Sequence, residues 1–321
     1  MEIAILSYYS GTVSRGVETF VTELSTRAKT PYRITVYHAP INQTQGSIGL
    51  FSLKILFKLS QNPPPVLMAL NNNWMSFFSR IFCWFYPTKL ILAGFAGIGR
   101  IDKFNLWLNP DRFICCTKAQ ADWARRINPW AKLTVIPIGV NTDRFQPKGV
   151  KYPLKLVHPI ILCVAGPEPY KRVKLAIKAV SQLSKASLLV IGRQPKAINA
   201  LGRKLLGDRY QNLLVSYDQL DQIYRAVDLF TLPSASTEAY GVTILEAMAS
   251  GLPVVVNNDS IRRELVGSVG ILVNPADISS YAQALSNNLH SKNSAVFRQQ
   301  ALKFSWPKIV KQHESLWSKL G

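Results

Sequence analysis

Asp228-Leu-Phe-Thr-Leu-Pro233, continued by Ser-Ala-Ser-Thr-Glu-Ala-Tyr-Gly-Val-Thr-Ile-Leu-Glu-Ala-Met-Ala-Ser-Gly-Leu-Pro-Val-Val-Val (234–256), sets a strand, a helix and a second strand in a row. The first run is apolar and of strand length, which fits a buried parallel strand. Val242 to Ser250 reads as a helix closed by Gly251, with Pro253 beyond it. In such a fold a ligand site is expected at the carboxyl end of the strand. A helix start offers unpaired N–H groups and the positive end of a dipole to a phosphate, and the small Ala239 and Gly241 allow close approach. Carboxylates beside an anion site need another partner, and hydroxyl groups supply one. Glu238 can accept from a sugar and Glu246 from the vicinal hydroxyls of a ribose. Eight helical steps would separate them by about 12 Å, near the length of a diphosphate with its flanking rings. The plain alternative is a pair of ordinary helix acids, with Glu246 solvated on an outer face.

Outward from this stretch, apolar strand runs alternate with amphipathic helical stretches, the pattern of a doubly wound α/β protein. Strands are expected at 2–8, 33–38, 66–70, 89–93, 112–116 and 133–137, and the scheme restarts with 160–165, 187–192, 213–216, 228–232, 253–256 and 270–273. Pro137 to Pro159 lies between them, dense in Pro, Gly and charge, as a linker would be. Two Rossmann-like domains facing a cleft follow, at 1–150 and 151–303. At 321 residues and 48% hydrophobic content, the chain can bury two cores.

The formal net charge of +20 favours anionic partners and is divided evenly between 1–150 and 151–321. The spread of Lys and Arg, with no helix-turn-helix, RNA-recognition or zinc-finger pattern, argues against nucleic acid. Sugar diphosphates and an anionic membrane surface fit a dispersed charge better. Cys83, Cys115, Cys116 and Cys163 lack Cys-x-x-Cys spacing, which points to reduced thiols in a cytoplasmic protein. The amino terminus reads as a strand rather than a signal peptide. Trp74 to Ala93, interrupted by Arg80, Pro87 and Lys89, reads as a buried helix and a strand rather than a membrane span. Ser47 to Gln61 sets a stripe of Ser47, Lys54, Lys58 and Gln61 against a broad face with Leu53, Ile55, Leu56 and Leu59. Such a helix either lies in a membrane interface or covers the core with its lysines in solvent. His38, His158, His290 and His313 are scattered, and no catalytic metal is expected.

Glu-x-Tyr-Gly-x-x-x-x-Glu-Ala-Met-Ala-x-Gly-x-Pro-Val-Val, from Glu238 onward, closely resembles the nucleotide-sugar signature of the retaining glycosyltransferases of family 4, a GT-B-fold group. Val135-Ile-Pro-Ile-Gly-Val-Asn-Thr-Asp-Arg-Phe-Gln-Pro147 resembles the family's interdomain segment. There Gly139 would permit a turn with φ > 0, and Phe145 and Pro147 would anchor the entry into the second domain. Ala165-Gly-Pro-Glu-Pro-Tyr-Lys171 resembles the family's diphosphate loop: Lys171 falls on its Lys, and Gly166 stands where the family has Arg. Arg172 or Arg193 is then the substitute cation. Ser10 to Glu18 resembles the family's Gly-Gly-x-Glu loop, with Gly16 as the second glycine and Arg15 in place of the first. None of the four histidines matches the family's His near the reacting sugar; Ala93 to Gly99 occupies that region. Residues 304–321 resemble the family's closing helix, which crosses back to the first domain.

The resemblance implies metal-independent transfer of a sugar from a nucleotide-sugar co-substrate, with no cofactor, to a hydroxyl acceptor, with retention at the anomeric carbon. Glu238 would meet the sugar and Glu246 the ribose, while Ala239, Tyr240, Gly241, Val242 and Lys171 would meet the diphosphate. A lipid-linked or cell-surface acceptor would lie with the first domain, at the inner face of a membrane. Gly166 and the missing His keep open a non-catalytic GT-B-like module binding nucleotides or membranes, and a nucleotide-sugar hydrolase or epimerase is a further alternative.

Overall fold

The computed structural model describes residues 1–10, 16–40, 48–70, 73–289 and 293–320. It divides into two units, Met1–Gly139 with Trp306–Gly321, and Val140–Ser305.

The first unit runs β1 (Glu2–Leu6), α1 (Gly16–Arg27), β2 (Arg33–Tyr37), α2 (Ile48–Leu59), β3 (Val66–Ala69), α3 (Asn73–Phe85), β4 (Lys89–Ala93), α4 (Arg100–Trp107), β5 (Arg112–Cys115), α5 (Lys118–Ile127) and β6 (Leu133–Val135). The strands form one parallel sheet in the order β2-β1-β3-β4-β5-β6. Central strands such as β3, buried along its whole length, are continuous apolar runs because helices cover both faces. Leu56, Leu59, Met75, Phe82, Leu106 and Ala121 place α2 to α5 over one shared core.

Two expectations need correction here. Of the face assigned to α2, Leu56 and Leu59 enter the core and Leu53 does not: it is exposed with Phe57, Lys54 and Lys58, while Ser52 is buried and bonds back to the Ile48 carbonyl at 2.7 Å. Ser47 lies outside the described residues. The helix expected to be buried, α3, is buried through Met75, Ser76, Ser79 and Phe82 and exposes Trp84 and Phe85.

The second unit runs β7 (Ile160–Val164), α6 (Val173–Ser181), β8 (Ser187–Ile191), α7 (Lys196–Leu206), β9 (Tyr210–Leu213), α8 (Leu220–Arg225), β10 (Leu229–Leu232), α9 (Val242–Ala249), β11 (Val254–Asn257), α10 (Ser260–Val266), β12 (Ile271–Val273), α11 (Ile278–Asn288) and α12 (Ser294–Ala301). Its parallel sheet has the order β12-β11-β10-β7-β8-β9. The order reverses between β7 and β10, and loops at the carboxyl ends of two such strands frame the crevice where open α/β sheets take ligands.

The strand expected at 213–216 lies three residues earlier, as β9. The apolar run Leu213 to Val215 drew the expectation, but Leu214 is exposed. The polar Asn212 fixes the strand instead, its Nδ2 donating to the Val190 and Gly192 carbonyls at 3.0 and 2.8 Å.

The last helix, α13 (Trp306–Ser318), belongs to the first unit. Its His313 and Trp306 pack on Phe20 with ring centroids 5.5 and 5.7 Å away. Pro307 sits in its first turn, where a missing N–H is harmless. Gly139 does not have the positive φ expected of it. A Cβ there would lie 2.6 Å from the Trp306 indole, so close packing is what requires glycine. Among the described residues, no helix is long and apolar enough to cross a membrane.

Candidate functional site

Two loops of the second unit meet where its strand order reverses. One follows β7 and carries Lys171 at the end of a short 3-10 turn; the other follows β10 and carries Glu238. A backbone hydrogen bond from Ala235 N–H to the Tyr170 carbonyl, 2.8 Å, joins them. Lys171 Nζ donates to Glu238 Oε1, and its ammonium also lies 5.4 Å from the Tyr170 ring centroid.

Two arginines clamp the loop that carries Glu238. Arg172, held at φ +51°, donates from Nε to the Pro233 carbonyl and from Nη2 to the Ser234 carbonyl, at 2.7 and 2.8 Å. Burial, and then the like charge of Arg262, lower its pKa. Arg262, on α10 and fully buried, donates from Nη1 to the Glu238 carbonyl at 3.2 Å and sets Nη2 3.3 Å from Glu238 Oε2. Asp259, the N-cap of α10, lies 3.3 Å from Arg262 and balances its charge. Glu238 is only 8% exposed, and its Oε2 makes no aligned hydrogen bond to a described residue. A buried carboxylate oxygen left in this state retains the capacity to accept from an incoming hydroxyl.

The stretch from Ala239 to Gly241 is not helical, so the 12 Å helical separation does not apply. Gly241 adopts φ +101° and turns the chain into α9, whose amino terminus carries no side-chain cap. Its first amides, at Val242 and Thr243, are the kind of donors that bind a phosphate. Tyr240, just before this turn, is buried. From Ile244 to Ala249 every side chain of α9 is buried, and Glu246 is the one charged group among them.

Glu246 is 4% exposed, contrary to a solvated outer-face acid. Tyr224, on α8, donates to its Oε2 at 2.9 Å. Desolvation pushes the Glu246 carboxyl from its ordinary 4.5 up to about 7, and the Tyr224 hydrogen bond and the Arg144 charge offset only part of that. The Tyr224 hydroxyl is pushed well up by burial and by that carboxylate. Behind it, Phe145 is fully buried with its ring centroid 5.7 Å from that of Tyr224, so the interdomain segment braces the acid from below. Arg144 lies over the Tyr217 ring at 4.1 Å and 3.7 Å from Asp221.

The structure therefore brings Lys171, Arg172, Glu238, Ala239, Tyr240, Gly241, Val242 and Glu246 onto adjoining loops and one helix of a single unit. Arg193, in the loop after β8, is exposed and has no ion pair among the described residues. Gly16 opens α1 in the other unit, and Arg15 lies outside the described residues. Gly166 points its α-carbon at Glu168, whose Oε2 a Cβ would meet at 2.3 Å. Arg262 and Tyr224 went unnoticed in the sequence. Nothing local singles out Arg262 from Arg263 beside it in α10, and nothing local marks Tyr224. Two concavities, of about 840 Å³ beside β6 and α13 and about 770 Å³ beside α6 and α11, lie on other surfaces. Among the described residues no group of three or more His, Cys, Asp or Glu could hold a metal ion.

Residues 158–291 match the family model described as Glycosyl transferases group 1. Over 221 residues the chain is 29% identical to the D-inositol 3-phosphate glycosyltransferase of Mycolicibacterium smegmatis, covering 62% of this chain and 51% of that protein. The chain spans about half the length of the curated relatives it matches. Among solved structures, sucrose-phosphate synthase from Thermosynechococcus elongatus superposes with a TM-score of 0.85 at 18% identity, covering 100% of this chain and 99% of that one. HepE of Anabaena, in complex with UDP and glucose, superposes with a TM-score of 0.79 at 17% identity, covering 99% and 100%. The fold is GT-B.

Proposed function

Residues 158–291 belong to the glycosyl transferases group 1 family, and from that premise we propose that the chain transfers a glycosyl group from a nucleotide sugar to a hydroxyl acceptor. The carrying observation is Glu246, the one charged side chain in a buried apolar helix, whose desolvation Tyr224 and Arg144 offset only in part and a partner with hydroxyl groups would offset further. In this reading Glu246 accepts from the ribose. The uncapped amides of α9 and Lys171 hold the diphosphate, and Glu238 uses Oε2 to accept from the sugar. Arg172 and Arg262 are positioning residues that hold the Glu238 loop.

During transfer the bond from the anomeric carbon to the diphosphate oxygen breaks. The acceptor oxygen bonds to the same face, and its proton passes to the departing phosphate. Negative charge grows on the leaving diphosphate, where Lys171 and the helix amides stabilise it. The reading includes retention, independence of metal ions and of any cofactor, a cytoplasmic site of action, and a lipid-linked or cell-surface glycan as acceptor. Support for a uridine nucleotide comes from HepE, whose structure holds UDP and glucose.

The test is release of nucleoside diphosphate from a panel of UDP- and GDP-sugars in the presence of EDTA, with wild type and Glu238→Ala compared. Release that disappears in the variant is the expected result. Binding without release identifies a non-catalytic module, the reading Gly166 favours, and conversion of the donor with its diphosphate intact identifies an epimerase.

A further inference from the structure

β6 is an edge strand of the first sheet, paired with β5 on one side only. Phe113 N–H donates to the Lys132 carbonyl and Ile136 N–H to the Cys115 carbonyl, both at 2.9 Å. In a parallel ladder the backbone groups of successive residues face opposite sides, so those of Thr134 turn to β5 and those of Leu133 and Val135 turn outward. Among the described residues nothing pairs with these outward N–H and C=O groups. A groove of about 840 Å³ takes in every residue from Lys132 to Ile136 and, of β5, Arg112 alone, so it lies along the open edge. Its other wall is α13, through residues at the three- and four-residue spacing of one helix side, such as Lys311, Ser315 and Lys319.

Charge selects what fits there. Arg112, Lys132, Lys311 and Lys319 line the groove, and no acid does. Asp111, next to Arg112 in sequence, is engaged by Arg80 and Lys89 at 3.7 and 3.5 Å, and Glu314 on α13 accepts from the Lys29 amide at 3.3 Å. Lysines on an open edge guard it against pairing with its own kind. A second copy docked about a two-fold axis would bring the same cations to the same edge, and like charges oppose that pairing. An extended segment rich in acids meets the opposite field, and its backbone supplies the donors and acceptors that Leu133 and Val135 lack. We propose that the groove between β6 and α13 takes an acidic, extended segment of a partner protein as an added strand. From Lys132 to Ile136 the edge runs about 17 Å, room for roughly five residues of such a segment. The proposal does not rest on the transfer reading, whose Glu238 and Glu246 belong to the second unit.

The probe is a fluorescein-labelled peptide of alternating glutamate and valine, about nine residues long, titrated with the full chain and followed by anisotropy. Two controls are the same peptide N-methylated at every residue and one with lysine in place of glutamate. Saturable binding of the acidic, unmethylated peptide alone, weakening as salt rises, is expected. Lys132→Glu with Lys311→Glu, both exposed, should weaken it by roughly tenfold or more. Val135→Pro removes an outward N–H, a change that open edges tolerate, and should weaken it roughly three- to tenfold while the melting temperature holds. If proline lowers the melting temperature, the lysine variant and the methylated peptide still read the same contacts. No binding, equal binding of the methylated peptide, or equal binding by wild type and the lysine variant overturns the proposal. So does displacement of the peptide by equimolar inorganic pyrophosphate, which would make the groove a small-anion site. A dimer in solution that Val135→Pro dissociates also overturns it, since a second copy would then own the edge. Glu238→Ala should bind the peptide like wild type, so loss of turnover and loss of docking remain distinguishable.

Discussion

Replacing Glu246 with Gln is expected to stabilise the second unit above pH 7 while weakening nucleotide binding. The folded carboxyl titrates at about 7 against an ordinary 4.5. Between those values the unfolded chain has released its proton and the folded chain has not, so stability falls as pH rises through the window. At about 1.4 kcal/mol for each pH unit, the loss reaches roughly 3 kcal/mol by pH 8. For a unit of this size that is a shift in Tm of roughly 6–12 °C. Gln cannot ionise and still accepts from Tyr224, so its stability should not fall across the same window. Thermal unfolding followed by circular dichroism at pH 4.5, 6 and 8 gives the comparison. The difference between variant and wild type should open steadily with pH, whatever offset the amide introduces at pH 4.5. Parallel curves would refute the reasoning, because they would mean that the carboxylate is well solvated or compensated where it sits. In the same samples, the affinity for UDP or GDP at pH 8 should drop by about tenfold or more, the effect of losing a charged acceptor.

Tyr224→Phe removes the 2.9 Å donor and should move the pH midpoint of nucleotide binding upward by about one to two units, weakening binding at pH 7 roughly five- to fifty-fold; calorimetric titrations that superpose with wild type from pH 6 to 9 contradict this. Arg262→Met leaves Glu238 and Asp259 buried without their shared cation and should cost about 3–5 kcal/mol in urea unfolding; a loss under 1 kcal/mol would show the pair to be solvated. His313 is fully buried, makes no hydrogen bond to a described residue, and desolvation lowers its pKa to about 3. Because only the unfolded chain takes up this proton between about 6.5 and 3, stability should fall as pH drops through that range, by about 2–3 kcal/mol at pH 4.5. His313→Leu should flatten that acid limb, and melts at pH 4.5 and 7 that track wild type would remove the idea. Gly139→Ala pushes a Cβ into the Trp306 ring and should cost about 1–3 kcal/mol; an unchanged melting temperature would show that the indole moves aside.

Both sheets were legible because parallel strands buried on two faces are unbroken apolar runs, and β3, β7 and β8 are nearly pure examples. The exception, β9, is an edge strand fixed by Asn212 side-chain bonds rather than by hydrophobicity. The site was legible wherever local sequence sets backbone shape, as at Gly241 and Gly251, whose positive φ opens and closes α9. It was illegible where partners come from afar: Tyr224 reaches Glu246 across 22 positions, and Arg262 reaches the Glu238 carbonyl across 24. The outer surface of α2 and α3 misled for a related reason. Both faces of α2 are apolar, so periodicity alone could not say which one meets the sheet.

A crystal structure of the protein soaked with UDP, and separately with GDP, tests the central claim most directly. The account predicts a diphosphate against the Val242 and Thr243 amides and Lys171 Nζ, with the ribose hydroxyls on Glu246. A nucleotide bound on another surface, with Glu238 still engaged only by Lys171 and Arg262 and Glu246 only by Tyr224, would contradict it.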